Sequence, residues 1–480
     1  MSTDPGASGR ATPTDLPPPC DRLTLDAIRA CLEGVIPATI ATVAPDGTPN
    51  VSLLSQVHYV DPDHIALSYQ FFNKTRANIL DNPDALLQVI DPPTGAQYRL
   101  RLSYLRTETA GPLFESMKAK LSGIASHVGM AEVFRLRGAD LFRVVAIESV
   151  PGRSLPAPVR PRSLLSAARR ACEGLRGCAD LAELLDRAMA ALRDLFGVEH
   201  ALILLPDAAT GRLFTVAALG YEGSGRGSGI GWEVAPGDGV IGVAARERVP
   251  IRITHMTTDV AYSLAMRDAT ADDPGLAREI PFPGLERPHS QLAVPILSHE
   301  PGLPDEQLAG ILFVESPREM RFTYDDEDAL VTVAAQIGAL MRGLPAPHAA
   351  EAEEPARPAA APADIRLTGC PHGAPVTVRH YATDDSVFLD HDYLIKGVAG
   401  AILWKLVRDH TSLGRVDFTN RELRLAPDIP LPDFAENLEA RLILLQRRLA
   451  DRCGALRIEK TGRGRFRLLV ATPLRLEEMH

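Results

Sequence analysis

Apolar residues recur along this chain at two periods, and the change from one to the other marks out its elements. Near the start, PATIATVAPDGTPNVSLLSQVHYVDPDHIALSY alternates apolar and polar positions and breaks at Asp46-Gly47 and Asp61-Pro62-Asp63, which predicts antiparallel strands joined by tight turns. FFNKTRANILDNPDALLQVI predicts a short helix running into a further strand. After a helix-rich insertion, SYLRTETAGPLFESMKAKLSGIASHVGMAEVFRLRG, the alternating RVVAIESV predicts a closing strand. Helical spacing then takes over in LAELLDRAMAALRDLFG. HALILLPDAATGRLFTVAAL predicts a strand pair turning at 207–211, ILFVES a strand, and Tyr324 to Met341 a helix. Further on, VTVRHY and SVFLDHDYLI supply strands and GVAGAILWKLVRDH a helix. VDFTNRELRL begins another helix, with Thr419 as N-cap and Glu422 three residues later. Phe434, Leu438, Leu442, Leu445 and Leu449 recur every three or four positions on one helical face. RIEK and RFRLLV flank Thr461-Gly462-Arg463-Gly464, whose glycines suit a tight hairpin.

Composition shifts set the boundaries. Residues 1–21 are rich in Pro, Ser, Thr and Gly and predict a disordered tail rather than a signal peptide. Prolines and arginines cluster again at 151–162, and 344–363 is almost wholly Ala, Pro and Glu, a semi-extended tether. Three modules remain, at 22–150, 163–343 and 364–480. A chain of 480 residues with 45% hydrophobic content can give each a core. No long apolar run predicts a membrane span. Cys20, Cys31, Cys172, Cys178, Cys370 and Cys453 are scattered without a dense framework, which fits reduced thiols and a cytoplasmic setting.

Charge changes the picture at the end of the chain. The net charge is −10, yet between Arg441 and Arg467 nine Lys or Arg stand against Asp451 and Glu459, a local balance of +7. Such asymmetry suits phosphate neutralisation, although a solvated charged helix would give the same count.

The third module resembles the OmpR-type winged helix, a DNA-binding output domain. That family has a small sheet, a helix, a helix-turn-helix and a terminal hairpin, and Leu445-Gln446-Arg447-Arg448-Leu449 and the Thr461 to Leu468 stretch stand in place of its recognition helix and wing. The resemblance implies that Arg441 and Arg447 reach bases or phosphates, Arg448 the backbone, and Lys460, Arg463 and Arg465 of the hairpin DNA as well. Two departures stand out. The loop APDIPLPD is long and proline-rich, and Leu444 and Gln446 occupy positions where basic residues are common.

The first module resembles the pyridoxamine 5'-phosphate oxidase-like split barrel, on the strength of KTRANILDNP with Lys74, Asn78, Asn82 and Pro83. The resemblance implies an antiparallel split β-barrel that binds FMN, with Lys74 near the phosphate, Asn78 among the cofactor-binding residues and Ser52, Ser55, Ser68 and Phe71 along the flavin pocket. It also implies a homodimer sharing that pocket. Haem is the alternative cofactor, with His58, His64 and His127 at hand. The second module resembles a GAF domain, an α/β small-molecule sensor, through PGDGVIGVAARERVPIRI, SQLAVPI, GILFVES and FTYDDEDALVTVAAQIG. Trp232, His255, Met256, Tyr262 and His289 fall where the family's pocket is bordered. GSGRGSGIG lacks the ending of a phosphate loop, and Cys370-Pro371-His372 with distant His380 and Cys453 lacks closed zinc spacing.

The fold class expected is therefore multidomain α+β: split barrel, GAF domain, winged helix. No nucleophile with its base and no metal site is predicted. Two functions stay open. One is a transcription regulator whose barrel and GAF modules sense a cofactor, redox state or metabolite and control a dimeric DNA-binding tail. The other is an FMN-dependent oxidoreductase with regulatory appendages, in which the flavin carries the chemistry.

Overall fold

The computed structural model describes residues 23–54, 57–69, 74–127, 136–158, 162–208, 210–221, 228–254, 284–286, 288–298, 306–344, 375–429, 437–462 and 464–479. The chain divides into two compact units, Met1–Glu108 with Gly138–Pro158, and Thr109–Arg137 with Val159–His480.

In the first unit a short 3-10 turn, Asp26–Leu32, precedes β1 (Ala38–Val43), β2 (Pro49–Leu54), β3 (Val57–Asp61), β4 (His64–Tyr69), α1 (Lys74–Asp81), β5 (Asp84–Ile90), β6 (Gln97–Glu108) and β7 (Gly138–Ser149). The strands form one antiparallel sheet in the order β2-β1-β5-β6-β7-β4-β3. Alternation decides which side is buried: Ile40, Ile65, Leu87, Leu100 and Phe142 fill the core, while Val51, Leu53 and Leu86 face outward. The predicted turn at Asp46-Gly47 joins β1 to β2, with Gly47 at φ +82° where a side chain would be strained.

The segment between β6 and β7 contributes α2 (Pro112–His127) to the second unit, where the buried Ala119 joins the apolar cluster of α5. There follow α3 (Leu164–Gly174), α4 (Leu181–Phe196), β8 (His200–Pro206), β9 (Leu213–Leu219), β10 (Glu233–Val234), α5 (Gly239–Glu247), β11 (Ile251–Ile253), β12 (Ser290–Ser298), β13 (Gln307–Ser316) and α6 (Tyr324–Gly343). The sheet order is β10-β9-β8-β13-β12-β11. One face packs Ile203, Val216, Val294 and Leu312 against α3, α4 and α6; the other packs Leu202, Leu204, Ala293 and Phe313 toward α5. Asp180 caps α4 by accepting from the Glu183 amide at 2.9 Å, and Gly197 ends it in the left-handed conformation. Gly338 lets α6 come close to β12, since a Cβ there would lie 2.1 Å from the Leu297 carbonyl oxygen.

The remainder of this unit comprises β14 (Val376–Tyr381), β15 (Ser386–Leu389), β16 (Asp392–Ile395), α7 (Val398–Leu413), β17 (Asp417–Thr419), α8 (Asn420–Leu425), α9 (Asn437–Arg452), β18 (Leu456–Gly462), β19 (Arg465–Val470) and β20 (Leu474–Met479). Thr419 and Glu422 form the predicted capping box of α8. Two small sheets result, β16-β15-β14-β20 and β17-β19-β18. The sequence reading did not anticipate β20, which pairs in parallel with β14, Val376 opposite Leu474. No described helix is long and apolar enough to cross a membrane.

Candidate functional site

In the first unit, polar chemistry concentrates at the start of α1. The Thr75 hydroxyl, buried, meets Ser52 Oγ at 2.7 Å and accepts from Asn50 Nδ2 at 2.9 Å, which ties the helix to β2. Asn78, also buried, donates to Thr42 Oγ1 at 3.0 Å and so serves as a tie to β1. Arg76 donates from Nη1 to Asp140 Oδ1 at 2.5 Å and to Thr107 Oγ1 at 3.1 Å; Thr107 in turn donates to Asp140 at 2.5 Å and meets the Tyr104 hydroxyl at 2.7 Å. These groups edge a cleft lined by Ile40, Leu54, Leu67, Ser68, Thr75, Arg76, Ile79, Asp140 and Phe142. The space between these described residues is small, about 30 Å³.

Of the residues expected here, Ser68 lines the cleft, Ser52 reaches it through Thr75, and Lys74 is exposed at the helix start. Asn78, expected at the cofactor, has its amide engaged inside the fold on Thr42. Ser55 and Phe71 lie outside the described residues. Thr75, Arg76 and Asp140 were missed, although a second cation directly after Lys74-Thr75 was a legible signal. His64, a haem candidate, holds Asp61 through Nδ1 at 2.8 Å. Among the described residues no group of three or more His, Cys, Asp or Glu converges as a metal site would require.

The sheet of the second unit encloses a buried carboxylate. Glu315 on β13 accepts from the Tyr221 hydroxyl at 2.7 Å, the Leu285 amide at 2.6 Å and Gln291 Nε2 at 3.1 Å. Burial raises its pKa above the ordinary 4.5 despite these donors, and burial together with Glu315 pushes Tyr221 well above 10. The Tyr221 ring meets those of His200 and Trp232 edge-on, each at 5.6 Å between centroids. Trp232 thus stands beside this cluster. His289 lies elsewhere, its amide bonded to the Ser316 carbonyl and its ring 3.5 Å from Glu319. His255, Met256 and Tyr262 lie outside the described residues.

Two family models match the chain. The pyridoxamine 5'-phosphate oxidase model matches residues 24–149 and the GAF domain model residues 180–341. The chain carries a pyridoxamine 5'-phosphate oxidase-type barrel followed by a GAF domain.

Among solved structures, an FMN-binding protein from Syntrophomonas wolfei subsp. wolfei is 19% identical, with a TM-score of 0.23, and the match covers 28% of this chain and 88% of that one. The GAF domain of an Acinetobacter phosphoenolpyruvate-protein phosphotransferase is 19% identical over 40% of this chain and 97% of its own, with a TM-score of 0.29. That of the Coxiella burnetii phosphotransferase is 20% identical over 39% and 96%, also at 0.29. No curated protein matches the sequence.

Both family matches end before β14, and the C-terminal residues meet the GAF domain directly. Arg441, Arg447 and Arg448, which the resemblance assigns to DNA, each have a partner on the GAF domain. Arg447 donates to the Val216 carbonyl and to Asp186, both at 2.5 Å; Arg448 donates to the Ile230 carbonyl at 3.2 Å and, within its own domain, to that of Leu394 at 3.1 Å. Arg441, 6% exposed, forms an ion pair with Asp207 and lies 4.0 Å above the Phe214 ring. Desolvation lowers the pKa of Arg447 and Arg448. Leu444, also buried, faces Gly231, which explains a leucine where a DNA-facing helix would carry a base-reading side chain. Lys460 at the hairpin pairs with Asp180, the α4 cap, while Arg465 is exposed. Arg463 and Phe434 lie outside the described residues.

Proposed function

We propose that this protein is a signal-responsive transcription regulator in which the barrel and the GAF domain govern a winged-helix DNA-binding domain. The observation that carries the reading is the direct contact between GAF strand β9 and the basic helix α9, because it joins a ligand-sensing fold to a cationic output helix. The order of the C-terminal elements supports a winged helix: a sheet, α7, a capped α8, then α9 and the β18-β19 hairpin, with β17 completing a three-stranded wing sheet. Fluorescence anisotropy of the full chain on labelled duplexes at several salt concentrations tests it. Salt-sensitive binding that discriminates among sequences, by the full chain or by a full-length Asp186→Lys variant that loosens the contact on Arg447, is the expected result, and no binding at low salt by either would sink the reading.

FMN is the proposed barrel cofactor. Arg76, with hydroxyls from Thr75 and Ser68, supplies the donors a phosphate needs, and exposed Lys74 adds positive charge at the helix start. Ile40, Leu54, Leu67 and Phe142 supply the apolar wall. The proposal includes a cytoplasmic homodimer. Val51, Leu53, Val43 and Leu86 form an outward apolar patch on β2, β1 and β5, with Leu53 75% exposed, and a second copy would cover it. Sedimentation of a Val51→Glu, Leu53→Glu variant as a monomer is the expected outcome; an unchanged mass of the assembly would remove this face.

The cleft also favours a second reading, an FMN-dependent oxidoreductase with a regulatory GAF domain. Steady turnover of reduced nicotinamide by the FMN-loaded chain would support it over the regulator.

A further inference from the structure

The sequence pattern leaves α9 with one apolar face for its own domain, yet in the fold it is covered nearly all round. Leu445 and Leu449, on one face, are fully buried; Ala440, Arg441, Ile443 and Leu444 are buried too, while Gln446, Ala450, Asp451 and Arg452 are the exposed positions. A basic helix with so little open surface cannot enter a major groove, which must admit the helix and its side chains together. The apolar core of the C-terminal domain is continuous with that of the GAF helical face, through Phe214, Val216 and Ile230 on the GAF side.

Polar groups then fasten the contact, and they are the groups that phosphates would otherwise neutralise. Arg447 has Asp186 and the Val216 carbonyl, Arg441 has Asp207, Lys460 has Asp180, and Arg448 has the Ile230 carbonyl. Three aspartates from α4, its cap and the β8–β9 turn therefore mimic the charge of a nucleic-acid backbone against one basic face.

We infer that the GAF domain is an internal competitor of DNA: it holds α9 in a closed state, and residues 229–232 are the element through which the GAF interior sets that contact. This rests on the reading of the C-terminal domain as DNA-binding.

Residues 229–232 touch the GAF interior on one side and α9 on the other. On one side the Trp232 ring abuts Tyr221, whose hydroxyl reaches buried Glu315. On the other, the Ile230 carbonyl accepts from Arg448, and a Cβ added to Gly231 would lie 3.5 Å from the Leu444 and Arg448 side chains. Gly231, at φ +78°, and Thr215 bind each other through the Gly231 amide and the Thr215 carbonyl at 2.9 Å, so the segment is pinned to β9 beside Val216. A small molecule that displaces Trp232 from Tyr221 would therefore shift the Ile230 carbonyl and the floor under Leu444 together. Closed and open arrangements then differ in the contacts that a ligand biases, which is what a population shift requires.

The test compares full-length wild type with Asp186→Lys, a change on the exposed side of α4 that repels Arg447, and with Leu444→Glu, which breaks the apolar contact and leaves every arginine in place. A labelled mixed-sequence duplex is titrated by anisotropy from low to physiological salt, and amide hydrogen exchange of α9 is followed in the same proteins. Either variant should bind at least about 10-fold more tightly than wild type, with a steeper salt slope and faster exchange in α9. Wild type binding as tightly as the variants would overturn the inhibitory contact while leaving DNA binding intact. Faster α9 exchange with no gain of salt-sensitive binding would overturn the DNA-binding reading itself, and unchanged exchange in both variants would remove these residues as the fastening. For residues 229–232, Trp232→Ala should also speed α9 exchange; protection equal to wild type would exclude that segment as the relay.

Discussion

Arg76 and Asp140 form a 2.5 Å ion pair across the barrel, joining the first turn of α1 to the beginning of β7, with Thr107 bonded to both. Asp140 is 6% exposed, and these donors satisfy its carboxylate inside the fold. Replacing Asp140 with Ala should destabilise the barrel by about 2 kcal/mol, because a half-buried guanidinium loses its anion and Thr107 its buried acceptor. Both tryptophans lie outside this unit, so the loss is best read from faster amide exchange in β6 and β7; unchanged exchange would show the pair to be dispensable.

The same pair bears on cofactor binding. If the cleft anchors the FMN phosphate, Arg76→Ala should weaken FMN binding about 10-fold or more, and exposed Lys74→Ala by less, since a buried charge-assisted bond is screened less than a solvated one. Quenching of FMN fluorescence on titration measures both. Equal, unaltered affinities would remove this corner from the FMN site.

Glu315 gives the GAF domain a pH dependence of definite sign. Its folded-state pKa is raised by burial, so its contribution to stability is fully present below about 4.5 and is lost as pH rises through the folded value. Glu315→Gln should flatten that decline: the new amide can keep Tyr221 and Leu285 as donors, and Gln291 Oε1, which has no hydrogen-bond partner among the described residues, can accept from it after the Gln291 amide turns over. Glu315→Ala strands the same donors and should cost about 2 kcal/mol or more. Thermal unfolding followed from pH 5 to 9 distinguishes the two; parallel curves for wild type and Glu315→Gln would refute the assignment.

Gly338 tests how closely α6 lies on the sheet. A methyl group would sit 2.1 Å from the Leu297 carbonyl oxygen, a backbone atom that cannot rotate away. Despite the gain in helix propensity, Gly338→Ala should lower GAF stability by roughly 1–3 kcal/mol. Urea unfolding monitored through Trp232 reads it directly, and an unaltered midpoint would mean that α6 can lift off at no cost.

Much of the fold is local and was legible in the residues. Period-2 alternation gave β1, β5 and β7, Asp46-Gly47 gave its turn, and Thr419 with Glu422 gave a helix start, because each depends on neighbours a few positions away. The motifs also carried the barrel and GAF assignments. The strand β20 escaped because its pattern, LRLEEM, is half polar, and it forms only as an edge partner of β14, about a hundred residues earlier in the chain. The tie between Arg76 and Asp140 escaped for the same reason, being a contact between residues distant in sequence.

The charge on α9 was also legible in the residues, as were its apolar stripe and the anomalous Leu444. Where that charge points was decided by tertiary structure alone. Charge is a property of a segment, whereas exposure is a property of whatever packs against it, and Asp186, Asp207, Val216 and Ile230 reach α9 only after β8 and β9 have paired and α4 has docked on them.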